Sequence, residues 1–172
     1  YSATDDCPLT CTLEALIDLH AKNETLNLAQ TYLEQLAKTI SRRFGMNSLQ
    51  MVYCLNRQAE IAFDEDNLTK AAHLCKQVLH IQKVNFGPDH LETAITSARL
   101  GSVYHALAQY EEAEPLYNQA LKVMIRSANW NDPQVLGILH SYAELLKKVH
   151  RDPEANHLLE CARLCLYREL QV

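Results

Sequence analysis

The chain has 172 residues, 48% of them hydrophobic and 22% charged, enough for one well-packed domain of ordinary globular make-up. Its net charge of −5 lacks the basic surplus a general nucleic-acid binder needs, and no apolar run approaches the roughly 18 residues of a membrane span. Only 4 glycines and 5 prolines are present, which leaves little material for long loops.

Apolar residues recurring at steps of three and four predict eight helices, at about 9–22, 26–44, 48–64, 67–86, 90–107, 110–128, 133–148 and 152–170. They pair into four units, about 9–47, 48–89, 90–131 and 132–172. The first unit carries Leu16-Ile17 on its first helix and LNLAQTYLEQLA on its second; Gly45 ends it. In the second unit Leu55, Ala59 and Ala62 form the inward face, LTKAAHLCKQVL follows, and Gly87 ends the pair. The third unit has one stripe of Leu100, Tyr104 and Leu107, a short turn at Ala108-Gln109, and a second stripe of Ala113, Tyr117, Ala120, Leu121 and Met124. The fourth opens at Pro133 and closes with DPEANHLLECAR. Its last helix bears Leu158, Leu159, Ala162, Leu164, Cys165, Leu166, Tyr167 and Leu170, more apolar than a solvent-facing end of an array should be.

One register runs through all four units. Ala29, Ala71, Ala113 and Ala155 each follow the last by 42 residues, and so do the helix stops Gly45, Gly87 and Asn129. Asn47, Asp89 and Asn131 keep the same step and are expected to cap the next helices with their side chains. Core, stop and start signals that share a period define a stacked array, here a single repeat domain. The alanines fall where two helices of a pair must approach closely, so a larger side chain there should cost ~1–3 kcal/mol by overpacking.

The third unit resembles a known family. Leu100-Gly101-x-x-Tyr104 followed by Ala113-x-x-x-Tyr117-x-x-Ala120 is similar to the tetratricopeptide repeat signature of two antiparallel helices. The common repeat has about 34 residues. The 42-residue step and the strings FGPDHLETA (86–94) and YEEAEPLYNQAL (110–121) resemble the longer repeats of kinesin light chains. The other units keep the alanine but read Leu16-Ile17, Gln58-Ala59 and Tyr142-Ala143 in place of the Leu-Gly pair. The resemblance implies an all-α, right-handed superhelical solenoid of four hairpins. It also implies a non-catalytic scaffold or adaptor that binds a partner protein in a concave groove lined by the first helices.

Stepping by 42 places the groove face on Tyr53, Asn56, Arg57, Glu60, Phe63 and Asp64, then Ile95, Ala98, Arg99, Ser102 and His105, then Gly137, His140, Ser141, Glu144, Lys147 and Lys148. In the first unit it gives Cys11, Glu14, Asp18 and Lys22. Arg57 and Arg99 hold equivalent places on neighbouring repeats, where guanidinium forks would hold carboxylates or phosphates of an extended peptide. The bland alternative is that these charges pair with each other across repeats or are solvated. Kinesin light chains carry asparagines along this face, and of the comparable Glu14, Asn56, Ala98 and His140 only Asn56 matches.

The remaining chemistry is sparse. His157, Cys161 and Cys165 lie four apart on one helix and span ~12 Å along its axis, too far for one metal ion to touch all three. No nucleophile–base pair or phosphate-cradling glycine loop is present, so no enzyme, metal or cofactor is expected. The six cysteines, at 7, 11, 54, 75, 161 and 165, read as thiols in a reducing, cytoplasmic setting; Cys7 and Cys11, flanking Pro8, leave a bridge open. No secretory signal pattern is seen, and the start at Tyr1 suggests a piece of a longer intracellular protein. Self-association or intramolecular docking through the apolar last helix is the alternative function.

Overall fold

The computed structural model describes residues 15–17, 26–126 and 133–169. Among these residues the chain forms helices α1 (Leu26–Phe44), α2 (Leu49–Asp64), α3 (Leu68–Phe86), α4 (Leu91–Ala106), α5 (Tyr110–Arg126), α6 (Pro133–Lys148) and α7 (Asp152–Glu169). Residues 15–17 are also helical, and no strand occurs among the described residues. The expected helices therefore stand within a residue or two of their places. Of the first, only 15–17 is described, and Cys7, Cys11, Glu14, Asp18, Lys22, Asn129 and Asn131 lie outside the described residues. Of the last helix's apolar set, only Leu158 and Leu159 have described side chains, both half-buried.

The helices pack as a solenoid. α2 lies on α3, α4 on α5 and α6 on α7, and each hairpin touches the next. Ala29, Ala71, Ala113 and Ala155 are all buried, at the crossings the register assigns them. In the third hairpin the approach is closest at Gly101. A Cβ there would stand 3.3 Å from Tyr117 Cε1 and 3.4 Å from the Ala113 carbonyl oxygen. The core divides into two clusters that share α4: Leu100 and Val103 belong to the one reaching back to Ile17, Ala94 and Ala98 to the one reaching forward to Ala155.

Hairpins also interlock through polar groups. Arg151 forks onto Glu154 at 2.7 and 2.6 Å and reaches Glu114 of the preceding hairpin at 2.7 Å. The Tyr142 hydroxyl donates to the same Glu114 oxygen at 3.3 Å. The Tyr117 and Tyr142 rings stack across the two hairpins, centroids 5.7 Å apart.

The turns inside the hairpins follow a rule not visible in residue types. Asp66, Ala108 and His150 all have positive φ (58°, 58° and 61°) and stand 42 residues apart. At each, two amides fold back on the preceding helix. Asp66 N–H bonds Phe63 O and Asn67 N–H bonds Ala62 O; the same pairs are Ala108 to His105 with Gln109 to Tyr104, and His150 to Lys147 with Arg151 to Leu146. This is the Schellman closure, which satisfies the last carbonyls of a helix.

The connection between the second and third hairpins needs glycine for a strict reason. Gly87 has φ 90° and ψ 168°, a region essentially open to glycine alone, rather than the left-handed helical conformation. The cap positions differ as well. The residues preceding α2 and α4 in extended conformation are Ser48 and His90, each one place after the expected Asn47 and Asp89. His90 Nδ1 accepts the Glu92 amide at 3.2 Å, while the Ser48 hydroxyl turns back to the Gly45 carbonyl at 2.9 Å. A cap is typically extended, which aims its side chain at the helix, and Asn47 and Asp89 sit in the turn instead. The side-chain cap that sequence periodicity missed is Asn67, which accepts from the Lys70 amide at 3.3 Å.

Two predictions test these backbone and core arguments. No atom lies within 4 Å of a Cβ built on Gly87 or Gly137, so alanine at either acts through the backbone alone. Gly87→Ala should cost about 1–3 kcal/mol through strain, whereas Gly137→Ala, within α6, should gain about 0.5–1 kcal/mol from helix propensity; urea denaturation midpoints should move in opposite directions. Gln82 is 3% exposed, occupies the register place of buried Ile40 and Met124, and its Oε1 has no partner among the described residues. Gln82→Met should therefore stabilise the fold by about 1 kcal/mol, read as a higher melting temperature.

Candidate functional site

The first helices of successive hairpins, α2, α4 and α6, lie side by side, but their spacing is uneven. α4 and α6 approach each other more closely than α2 and α4 do. Between α2 and α4 opens a cleft of about 460 Å³, lined by Asn56, Ala59, Glu60, Phe63, Asp64, Arg99, Ser102, Val103 and, from α3, Cys75. A second cleft of about 210 Å³ runs between α4 and α6 past Ile95, Ala98, Arg99, Ser102, Gly137, Ile138 and Ser141. Arg99 and Ser102 line both, so the two clefts adjoin at α4 as a divided furrow across three hairpins.

The larger cleft has an identifiable origin. Cys75 shares its register place with Leu33 and Tyr117. In the third hairpin Tyr117 is fully buried and its hydroxyl donates to Ser102 at 3.0 Å. In the second hairpin the small thiol leaves the corresponding space open. Burial pushes the Cys75 thiol above its ordinary value; Arg99 opposes this and Glu60 adds to it, as expected for a sulfur beneath both charges. Such a thiol is held protonated and is a poor nucleophile.

The structure brings together Asn56, Glu60, Arg99 and Ser102 on the main cleft. Arg57 lies beside them, its guanidinium over the Tyr53 ring at 5.7 Å and bonded to Glu60 at 2.9 Å. Arg99 also reaches Glu60, at 3.5 Å. The charges of neighbouring repeats thus pair with each other. The Ser102 hydroxyl is engaged within the fold, donating to the Ala98 carbonyl at 3.2 Å and accepting from Tyr117. Ala98 is buried at 1% exposure, so it forms floor rather than rim.

On α6 the face divides. His140 and Glu144 pair at 3.4 Å. His105, on α4, packs edge-on to Tyr110 and feels the charges of Glu144 and Lys148. At about 100° per residue, Lys148 falls in line with Ser141 on the furrow, while Lys147 and His140 lie roughly a third of a turn away. Cys75, Val103 and Ile138 were not among the expected groove residues. Only Cys75 carries a sequence signal, a small side chain at a tyrosine or leucine place.

Residues 51–126 match the family model for the tetratricopeptide repeat. Solved structures extend the likeness over the rest of the described chain. A Podosopora anserina protein described as a kinesin light chain, with nearly identical TPR-like repeats, is 20% identical, with a TM-score of 0.78 over 91% of this chain and 75% of its own. A single-substitution form of it gives 0.77 at 20% identity over 88% and 71%. BtubC (BKLC) of P. vanneervenii gives 0.82 at 15% identity over 95% of this chain and 65% of its own. No curated protein gives a significant match. Residues 51–126 thus match the tetratricopeptide repeat, and at these identities the wider likeness to the solved structures is one of fold. Repeats of this type are in general non-catalytic protein-interaction scaffolds. Among the described residues no helix is long and apolar enough to cross a membrane.

Burial pushes the His105 imidazole below its ordinary 6.5; Glu144 opposes this and Lys148 adds to it. The folded state therefore binds that proton less readily than the unfolded chain. The stability involved is present above about pH 6.5 and is lost as pH falls through the lowered value. His105→Asn should lessen the drop in melting temperature on acidification, by under about 1 kcal/mol because the ring is only half-buried; comparing wild type and variant across a pH series isolates this histidine from the other seven.

Proposed function

We propose that this chain is a protein-interaction scaffold that takes an extended peptide or a helix of a partner protein along the furrow of α2, α4 and α6, with acidic residues of the partner facing Arg57 and Arg99. The observation that carries this reading is the adjoining of the two clefts at Arg99 and Ser102, which line the furrow on both sides of α4. A single compact pocket would favour a small molecule; a trough crossing three repeats suits a chain. Its walls combine apolar groups (Phe63, Val103, Ile138) with a few polar ones, and Asn56 offers the amide that can bond a peptide backbone. Arginine forks give carboxylates both energy and geometry.

The test uses a fluorescein-labelled peptide of alternating glutamate and leucine, with a glutamine-for-glutamate peptide as control. Reversing both charges (Arg57→Glu with Arg99→Glu) should weaken binding of the acidic peptide by well over tenfold, about 1.4 kcal/mol or more, and leave the control peptide nearly unaffected. An unchanged affinity for the acidic peptide would remove the arginines from the site.

A further inference from the structure

The Glu60 carboxylate stands between two guanidinium groups from adjacent hairpins. Its Oε2 accepts from Arg57 Nη1 at 2.9 Å and its Oε1 from Arg99 Nη1 at 3.5 Å. That is the position a partner's carboxylate would take, filled by the protein's own side chain. We propose that Glu60 is a built-in competitor for the Arg57–Arg99 pair, which an incoming anionic side chain must displace. The inference rests on the groove-binding reading above and adds how that site is regulated.

Three observations support it. First, the register singles out this place. Glu60, Ser102 and Glu144 are equivalent, as are Arg57, Arg99 and Ser141. Ser102 carries no charge, and Glu144 pairs with His140 on its own helix. Among the described residues, only between the second and third hairpins does a carboxylate meet arginines from two repeats. Second, the contacts are built to open. Arg57, Arg99 and Glu60 side chains are 34%, 45% and 45% exposed, and ion pairs so exposed are weak because water and salt screen them. The Arg57 contact is local, three residues along one helix, while the Arg99 contact spans 39 residues and sits at the long limit of a hydrogen bond. Arg99 is the slack member, with donors left over for another anion. Third, space for that anion adjoins the contact, since Glu60 and Arg99 both line the larger cleft.

The competitor has a selective effect. A neutral group gains nothing by displacing Glu60, because it breaks that pairing with both arginines and brings no charge in its place. A carboxylate replaces one favourable pairing with another and gains through its remaining contacts in the cleft. The site thus responds to anions only when the rest of the ligand fits.

Glu60→Gln keeps the side chain's shape and removes its charge. Fluorescence anisotropy with the alternating glutamate–leucine peptide should show roughly three- to tenfold tighter binding than wild type, with the glutamine peptide unchanged. A second arm needs no peptide: beyond the general stabilisation that sulfate gives any folded protein, sulfate should raise the melting temperature of E60Q, but neither that of wild type nor that of E60Q carrying Arg57→Gln and Arg99→Gln. If arginine reversal abolishes peptide binding while E60Q binds no tighter and gains no sulfate response, Glu60 merely braces the arginines. The inference then falls and the groove reading stands. If no protein binds the peptide yet sulfate stabilises E60Q alone, the competitor stands and the groove reading falls. Equal sulfate responses in all three proteins overturn the inference.

Discussion

The third hairpin's two helices meet at an alanine, Ala113, and the alanines of the other units are buried in the same register, a packing constraint that sets the position of everything else. Ala71, Ala113 and Ala155 have no exposed surface. At the third crossing the backbone of α4 comes so near α5 that Gly101 has only Tyr117 and the Ala113 carbonyl beyond its Cα. Small residues at the crossing let the larger ones on either side interlock. Each hairpin then presents apolar surface to both neighbours and cannot bury it alone, so the units stack. The shared helix α4, whose residues serve both core clusters, ties the second hairpin to the fourth.

That stacking decides what kind of surface the molecule offers. Hairpins set side by side bring the first helices into a row, and the side chains between them determine whether the row is closed or open. Tyr117 narrows it in the third hairpin by reaching Ser102 and stacking on Tyr142. Cys75, smaller by most of a ring, leaves it open in the second. The site therefore comes from a departure within the repeat rather than from the repeat itself, and the charges that differ between units, Glu60 against Ser102, give it direction.

Much of this was legible in the sequence because it depends on side-chain size and polarity recurring at fixed distance. The helices, the buried alanines, the glycine stops and the pairing of Arg57 with Arg99 in register all follow from such recurrence. What was not legible depends on backbone conformation or on geometry between repeats. Asn47 and Asp89 are good capping residue types, yet the chain turns extended one residue later, at Ser48 and His90. Lys147 and Lys148 are alike in composition, and only the helix phase separates them. Gln82 looks like an exposed polar residue and is instead buried in a place that Ile40 and Met124 fill elsewhere. No periodicity could report that Glu60 reaches across to Arg99, because that contact depends on how far apart two hairpins settle.

The hairpin turns carry a further consequence. They close identically at Asp66, Ala108 and His150 through main-chain bonds alone. An acid, a methyl group and an imidazole serve equally, so nothing in the side chain is held to a type. Elsewhere the repeat is remembered by its residues; at these three turns it is remembered by its shape, and the copies differ in side chain while sharing one conformation.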